Sequence, residues 1–90
     1  MTIARRVSVT GRVQGVFFRA WTCQQARELD LRGWVWNADD GSVEAHVEGD
    51  EGAVRQLVER MRQGPSGARV DELTVDVADE LRLSGFEIRH

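Results

Sequence analysis

The sequence VSVTGRVQGVFFR, at residues 7–19, contains a change from one type of regular structure to another. Its valines alternate with serine, threonine and arginine, which is typical of a strand with one buried face. Gly15 interrupts this alternation. From Phe18 onward the apolar residues recur at helical spacing, and neither glycine nor proline occurs again before Gly33. The stretch therefore predicts a strand, a glycine-containing turn and the beginning of a helix.

The segment that follows predicts a β-hairpin. Trp34–Trp36 is a short run of residues that favour strands, and Asn37–Gly41 (NADDG) is a typical turn sequence. Val43, Ala45 and Val47 then alternate with polar residues. This alternation predicts another strand with one buried face.

The C-terminal half predicts a second helix and two further strands. Asp50 is a suitable N-cap residue, and an apolar stripe at i, i+3, i+4 and i+7 follows it: Val54, Leu57, Val58 and Met61. Gly64-Pro65 ends this helix. Residues 73–77 alternate as a strand, and Val70 is out of phase with them, which indicates a bulge. Residues 86–88 predict a short last strand.

The predicted elements form two strand–helix–strand units in sequence, with a short extra strand at the C-terminal end. Two such units pack as an antiparallel sheet with both helices on one face, the ferredoxin-like two-layer sandwich (βαββαβ). A chain of 90 residues has room for one domain, which we expect to span residues 1–90. This fold serves many activities, so it does not by itself indicate a function.

The composition excludes several classes of protein. The apolar fraction of 41% and the charged fraction of 30% fit a soluble globular protein. The net charge of -3 counts against a main partner made of nucleic acid, which requires a basic surface. No apolar run approaches the length of a signal core or a membrane span, so we expect no membrane partner and a cytoplasmic location. Cys23 is the only cysteine, which excludes an internal disulfide and a cysteine cluster for zinc.

The turn before the first helix has the features of an anion site. A glycine-containing turn can aim several free backbone N–H groups at one point, and the helix N-terminus adds about half a positive charge. Arg19, just inside the helix, carries a guanidinium group that binds phosphate with two hydrogen bonds. From these residues alone, Arg19 could equally be a solvated residue of the first helical turn, and Gly15 could serve only the turn.

Two stretches of the sequence resemble the signatures of the acylphosphatase family. VTGRVQGVFFR at residues 9–19 resembles the first signature, and GWVWNADDGSV at residues 33–43, followed by five residues and Gly49, resembles the second. Residues 64–70 also contain glycine, proline, alanine and valine where family members have similar residues. The resemblance implies the ferredoxin-like fold and hydrolysis of the carboxyl–phosphate anhydride bond of small acyl phosphates.

The resemblance also implies roles for particular residues. Arg19 matches the family's phosphate-binding arginine, and Asn37 matches the asparagine that holds the attacking water. The backbone amides that match the phosphate cradle belong to Gln14, Gly15, Val16, Phe17 and Phe18. The family uses no metal and no organic cofactor, so we expect none here. Inorganic phosphate is then the product and a competitive inhibitor, and a monomer is expected.

The remaining polar and reactive residues suggest no conventional base or nucleophile. His46 lies in the polar phase of its strand, so we expect it on the surface. His90 is the last residue, and we expect it to be mobile. Cys23 is expected to pack in the first helix, and Asp39 and Asp40 to shape the hairpin. One position departs from the family pattern: residue 36, usually not aromatic, is a tryptophan that shares a face of its strand with Trp34.

Two other functions fit the predicted fold. An RNA-binding module would need stacking rings on its central strand, where this chain places acidic residues. A non-catalytic accessory or regulatory binding domain is the stronger alternative, because an acylphosphatase-like domain begins larger hydrogenase-maturation proteins that handle carbamoyl phosphate. The chain's end at His90 favours a stand-alone enzyme. No residue was identified that would recognise the acyl group, so broad tolerance of small acyl groups is expected.

Overall fold

Every predicted strand and helix is present in the computed structural model, which describes all 90 residues. In chain order the elements are β1 (Thr2–Arg12), α1 (Phe18–Glu28), β2 (Arg32–Asn37), β3 (Val43–Asp50), α2 (Glu51–Gln63), β4 (Arg69–Val77) and β5 (Phe86–Arg89). Neither helix combines the length and the apolar character that a membrane crossing requires.

The five strands form one sheet in the order β4-β1-β3-β2-β5. The first four strands pair antiparallel, as the ferredoxin-like sandwich requires. The extra strand β5 pairs parallel with β2, so the complete sheet is mixed rather than wholly antiparallel. The cause is the connection 78–85, which joins β4 at one edge of the sheet to β5 at the other and must therefore cross the whole sheet.

One hydrophobic cluster fills the space between the helices and the sheet. The helices contribute buried residues from their apolar stripes, among them Phe18, Leu57 and Met61. The sheet contributes the inward-facing residues of its strands, including Val35 of β2. Trp34, the neighbour of Val35, lies on the opposite face of the sheet, where it stacks on His46. Both helices thus cover one face, as the alternating sequence pattern predicts.

Local features of the chain set the ends and the registers of these elements. Asp50 caps α2, since its carboxylate accepts a hydrogen bond of 3.1 Å from the backbone N–H of Gly52. The pairing of β1 with β4 shifts register between Thr10 and Gly11, and Gly11 then pairs with Val70. The bulge indicated by the phase of Val70 is therefore confirmed.

The outer face of the sheet, opposite the helices, is covered around β3, so the expectation of a surface position for His46 is wrong. His46 and Glu48 are both fully buried. The imidazole of His46 stacks against Trp34, with the ring centroids 6.0 Å apart, and its Nε2 lies 3.1 Å from a carboxylate oxygen of Glu48. An alternating pattern identifies the face of a sheet on which a side chain lies. It does not reveal that a distant segment, here 78–85, contacts that face at Glu48.

Glu48 attaches the segment 78–85 to the outer face. Its carboxylate accepts hydrogen bonds of 2.7 Å from the backbone N–H groups of Leu81 and Leu83. Burial acts to raise the pKa of Glu48, but these two N–H groups and His46 together outweigh burial, so the pKa lies below its usual value. The unusual Trp36 also has a partner on this face, because its indole N–H donates to Glu44 over 3.0 Å.

Candidate active site

The turn between β1 and α1 presents unused backbone donors. Gly15 and Phe17 both have positive φ angles, +76° and +61°, and Phe17 caps α1 without a side-chain hydrogen bond. The N–H groups of residues 14–17 donate to no backbone carbonyl and to no side chain. These donors lie at the N-terminus of an 11-residue helix. The combination suits an anion, because free N–H groups and the helix dipole both favour negative charge.

A cavity of about 250 Å³ opens beside this turn. It is lined by residues of the turn and α1, of the end of β2 and of the C-terminal segment: Val13, Gly15, Phe17, Phe18, Arg19, Ala20, Asn37, Ile88 and His90. The cavity thus brings the two side chains predicted for the site, Arg19 and Asn37, to one place. Gln14 and Val16, whose backbone amides were also predicted, belong to the same turn but do not line the cavity.

Arg19 is held by the C-terminal end of the chain. Its Nη1 donates to the backbone carbonyl of Arg89 over 3.2 Å and lies 3.2 Å from Nδ1 of His90. His90 was not predicted to lie at the site, and the structure places its side chain beside Arg19. The parallel pairing of β5 with β2 brings His90 to the cavity, and no sequence motif predicts that pairing.

Asn37 ends β2 and presents an unused acceptor. Its side chain follows the same phase as the core residue Val35, so it lies on the helix side of the sheet. Its Oδ1 atom is buried and has no hydrogen-bond partner in the protein. A buried acceptor without a partner is costly unless something binds to it. This atom can therefore accept a hydrogen bond from a molecule in the cavity.

The hairpin after Asn37 is stabilised by Asp40. A carboxylate oxygen of Asp40 accepts hydrogen bonds from the backbone N–H and the hydroxyl of Ser42, over 2.9 and 2.6 Å. The hydroxyl bond and the backbone bond, in that order, lower the pKa of Asp40. These contacts confirm that Asp40 shapes the hairpin. Cys23 is buried in the core, which confirms its packing role.

Two features of this region were not anticipated from the sequence. The side-chain Nε2 of Gln14 donates to the carbonyl groups of Ala38 and Ser42, both over 2.9 Å, and so connects the turn with the hairpin. The side chain of Phe17 is 84% exposed beside the cavity.

Nowhere in the protein do three or more His, Cys, Asp or Glu side chains lie close enough together to hold a metal ion.

Comparisons with known proteins agree on one family. The sequence profile of the acylphosphatase family matches residues 5–88. An acylphosphatase of Rhodopseudomonas palustris strain BisB18 is 56% identical over 89 residues, covering 93% of this chain and 89% of the relative. The crystal structure of acylphosphatase from Bacillus subtilis superposes with a TM-score of 0.93 at 37% identity and full coverage of both chains. Full-length HypF, in a phosphate- and nucleotide-bound form, matches this whole chain with only 12% of its own length, with a TM-score of 0.94 at 27% identity.

The fold and these matches define the class of protein: enzymes of the acylphosphatase type with a ferredoxin-like fold. The chain belongs to the acylphosphatase family.

Proposed function

We propose that this protein hydrolyses the carboxyl–phosphate anhydride bond of small acyl phosphates to a carboxylate and inorganic phosphate. One cavity, lined by Arg19 and by the buried, unpartnered Oδ1 of Asn37 beside a turn with unused N–H groups, carries the proposal. Family membership supports it, since the named relatives are acylphosphatases.

The turn and Arg19 bind the phosphoryl group in this proposal. The N–H groups of residues 14–18 surround its oxygens, and the dipole of α1 favours their negative charge. The guanidinium of Arg19 adds charge-assisted hydrogen bonds. All these groups stabilise the charge that develops on the phosphoryl oxygens in the transition state.

Asn37 positions the attacking water. A side-chain amide both donates and accepts hydrogen bonds, so Asn37 can hold a water in line with the bond that breaks. Asn37 is no base at neutral pH, and we propose that the phosphate itself accepts the proton of the water. The leaving group is a carboxylate whose conjugate acid has a pKa of roughly 4, so it departs without a general acid. Inorganic phosphate, the product, competes for the same groups.

Hydrolysis of benzoyl phosphate, followed in the ultraviolet with a chelator present and no added metal, tests the proposal. The wild type should hydrolyse this substrate. Arg19→Gln should lose nearly all turnover and inhibition by phosphate, because a charge-assisted anchor worth roughly 1.5–3 kcal/mol and its transition-state stabilisation are removed. Arg55→Gln is the matched control: Arg55 is exposed on α2, paired with Glu51, and does not line the cavity. It should behave like the wild type.

Two outcomes would count against the proposal. Turnover by Arg19→Gln equal to that of Arg55→Gln would remove Arg19 from the site. A folded wild type that binds phosphate and hydrolyses nothing would instead favour the second candidate, a non-catalytic accessory or regulatory binding domain. That candidate has support from HypF, in which the matching region is a small part of a larger protein.

A further inference from the structure

The side chain of Gln14 connects the anion-binding turn to the hairpin that follows Asn37. Its Nε2 donates one hydrogen bond of 2.9 Å to the carbonyl of Ala38 and another of 2.9 Å to the carbonyl of Ser42. An amide nitrogen carries two hydrogens, so both donors of Gln14 are used. These partners are 24 and 28 residues away in the sequence. The contact is thus a tertiary link between two parts of the candidate site.

Both carbonyl groups also accept hydrogen bonds within the hairpin. The N–H of Ala38 donates to the carbonyl of Ser42 over 2.9 Å, and the N–H of Gly41 donates to the carbonyl of Ala38 over 3.2 Å. A carbonyl oxygen has two lone pairs, so Gln14 supplies the second partner to each. Gln14 therefore holds the backbone immediately after Asn37 at both ends of the hairpin turn.

We propose that the Gln14 side chain is a positioning residue, which sets the distance between the water-holding Asn37 and the phosphate-binding turn. This role rests on the proposed function. Hydrolysis requires the water and the phosphorus atom in line at near-contact distance, and a displacement of about 1 Å can cost about 100-fold in rate. A direct link between the two halves of the site limits such displacement. The backbone N–H of residue 14 is a separate group, and every substitution except proline retains it.

Gln14→Met tests this role by removing both side-chain donors while keeping a side chain of similar length. The kcat for benzoyl phosphate should fall by up to about 100-fold, since Asn37 loses its fixed position. The inhibition constant of inorganic phosphate should stay near the wild-type value, because the backbone donors and Arg19 remain. Gln56→Met is the matched control, on the exposed side of α2. It should leave both quantities unchanged.

Gln14→Glu adds a readout in the pH profile. Above its pKa the new carboxylate would face two carbonyl oxygens and repel them, so kcat should be at least as low as in Gln14→Met. When protonated, its O–H can donate to one of the carbonyls. The ratio of kcat in Gln14→Glu to kcat in Gln14→Met should therefore rise as the pH falls from 8 toward 5. A ratio that stays constant over this range would overturn the positioning role.

The side-chain amide signal of Asn37 in an NMR spectrum provides a readout that needs no activity. It should shift in Gln14→Met and stay in place in Gln56→Met. An inactive wild type would contradict the proposed function. In that case, an Asn37 signal that does not shift in Gln14→Met would overturn the positioning role of Gln14 as well. If the wild type is active and Gln14→Met keeps its kcat, only the positioning role fails. If Gln14→Met does not fold, the kcat of Gln14→Glu at pH 5 is compared with its own kcat at pH 8 instead.

Discussion

At the scale of single residues, Phe17 shows how the site constrains the backbone. Its φ of +61° is in the left-handed region, which a residue with a bulky side chain rarely adopts. The side chain is 84% exposed, so burial of the ring contributes little to offset this cost. Strained backbone is common where a turn must present its N–H groups to a ligand. We therefore interpret the strain at Phe17 as a requirement of the anion binding that we propose for this turn.

Phe17→Asn should stabilise the protein, because asparagine tolerates the left-handed conformation better than phenylalanine does. The left-handed region costs an ordinary residue roughly 1–2 kcal/mol, so we expect the free energy of unfolding to rise by up to about 1 kcal/mol. Urea unfolding measures the change. Leu81→Asn, at an exposed apolar residue without a positive φ, is the control and should give no gain. A lower stability for Phe17→Asn would show that the ring makes a net stabilising contribution.

Motifs predict residues of the site more readily than they predict contacts. Arg19 and Asn37 could be selected from the sequence because each belongs to a stretch with a family signature. The position of His90 could not, since it depends on which strand β5 pairs with. The side-chain role of Gln14 could not either, since both of its partners are backbone carbonyls and carry no sequence signal.

At the scale of elements, the segment 78–85 is attached to the outer face of the sheet at Glu48. It carries the chain from β4 to β5 and is fixed by the two N–H groups that donate to Glu48. Its own sequence, ADELRLSG, has no regular alternation, and nothing in it predicts a buried carboxylate on β3. The alternation of β3 predicted the strand correctly. The long-range contact with segment 78–85 accompanies the burial of Glu48, and no local pattern encodes it. His46 is buried against Trp34 and Glu48.

Glu48→Gln should destabilise the protein at neutral pH. Hydrogen bonds to a charged group contribute roughly 1.5–3 kcal/mol, and we expect a loss of that size in the free energy of unfolding at pH 7. The folded-state pKa of Glu48 is below its usual 4.5, so its stabilising effect is complete above that pH. As the pH falls through 4.5 toward the folded-state pKa, the unfolded chain takes up the proton first and the effect is lost. The stability difference between the wild type and Glu48→Gln should shrink accordingly.

Thermal unfolding of both proteins between pH 7 and pH 3 measures this difference. Glu72→Gln, at an exposed carboxylate on β4, is the control and should differ little from the wild type throughout. If the stability difference between the wild type and Glu48→Gln stays constant with pH, the ionised form of Glu48 does not stabilise the fold more than the protonated form does.

At the scale of the whole molecule, three distant parts of the chain form one site. The turn after β1 supplies the unused N–H groups, the end of β2 supplies Asn37, and the C-terminal end holds Arg19. The periodicity of apolar residues was sufficient to predict the elements and the sandwich, because both helices and strands β1 to β4 direct apolar residues toward one shared core. It was not sufficient to predict the pairing and direction of the fifth strand, which follow from the path of segment 78–85 across the sheet.

The division of labour within this site is the central claim: the turn and Arg19 bind the phosphoryl group, and Asn37 holds the water. The most direct test is steady-state hydrolysis of benzoyl phosphate by Asn37→Ala with inorganic phosphate as inhibitor, beside Asp39→Ala from the exposed part of the same hairpin. We predict that Asn37→Ala lowers kcat by about 100-fold or more and leaves the inhibition constant of phosphate near that of Asp39→Ala. A kcat equal to that of Asp39→Ala, or a loss of phosphate inhibition in Asn37→Ala, would contradict it.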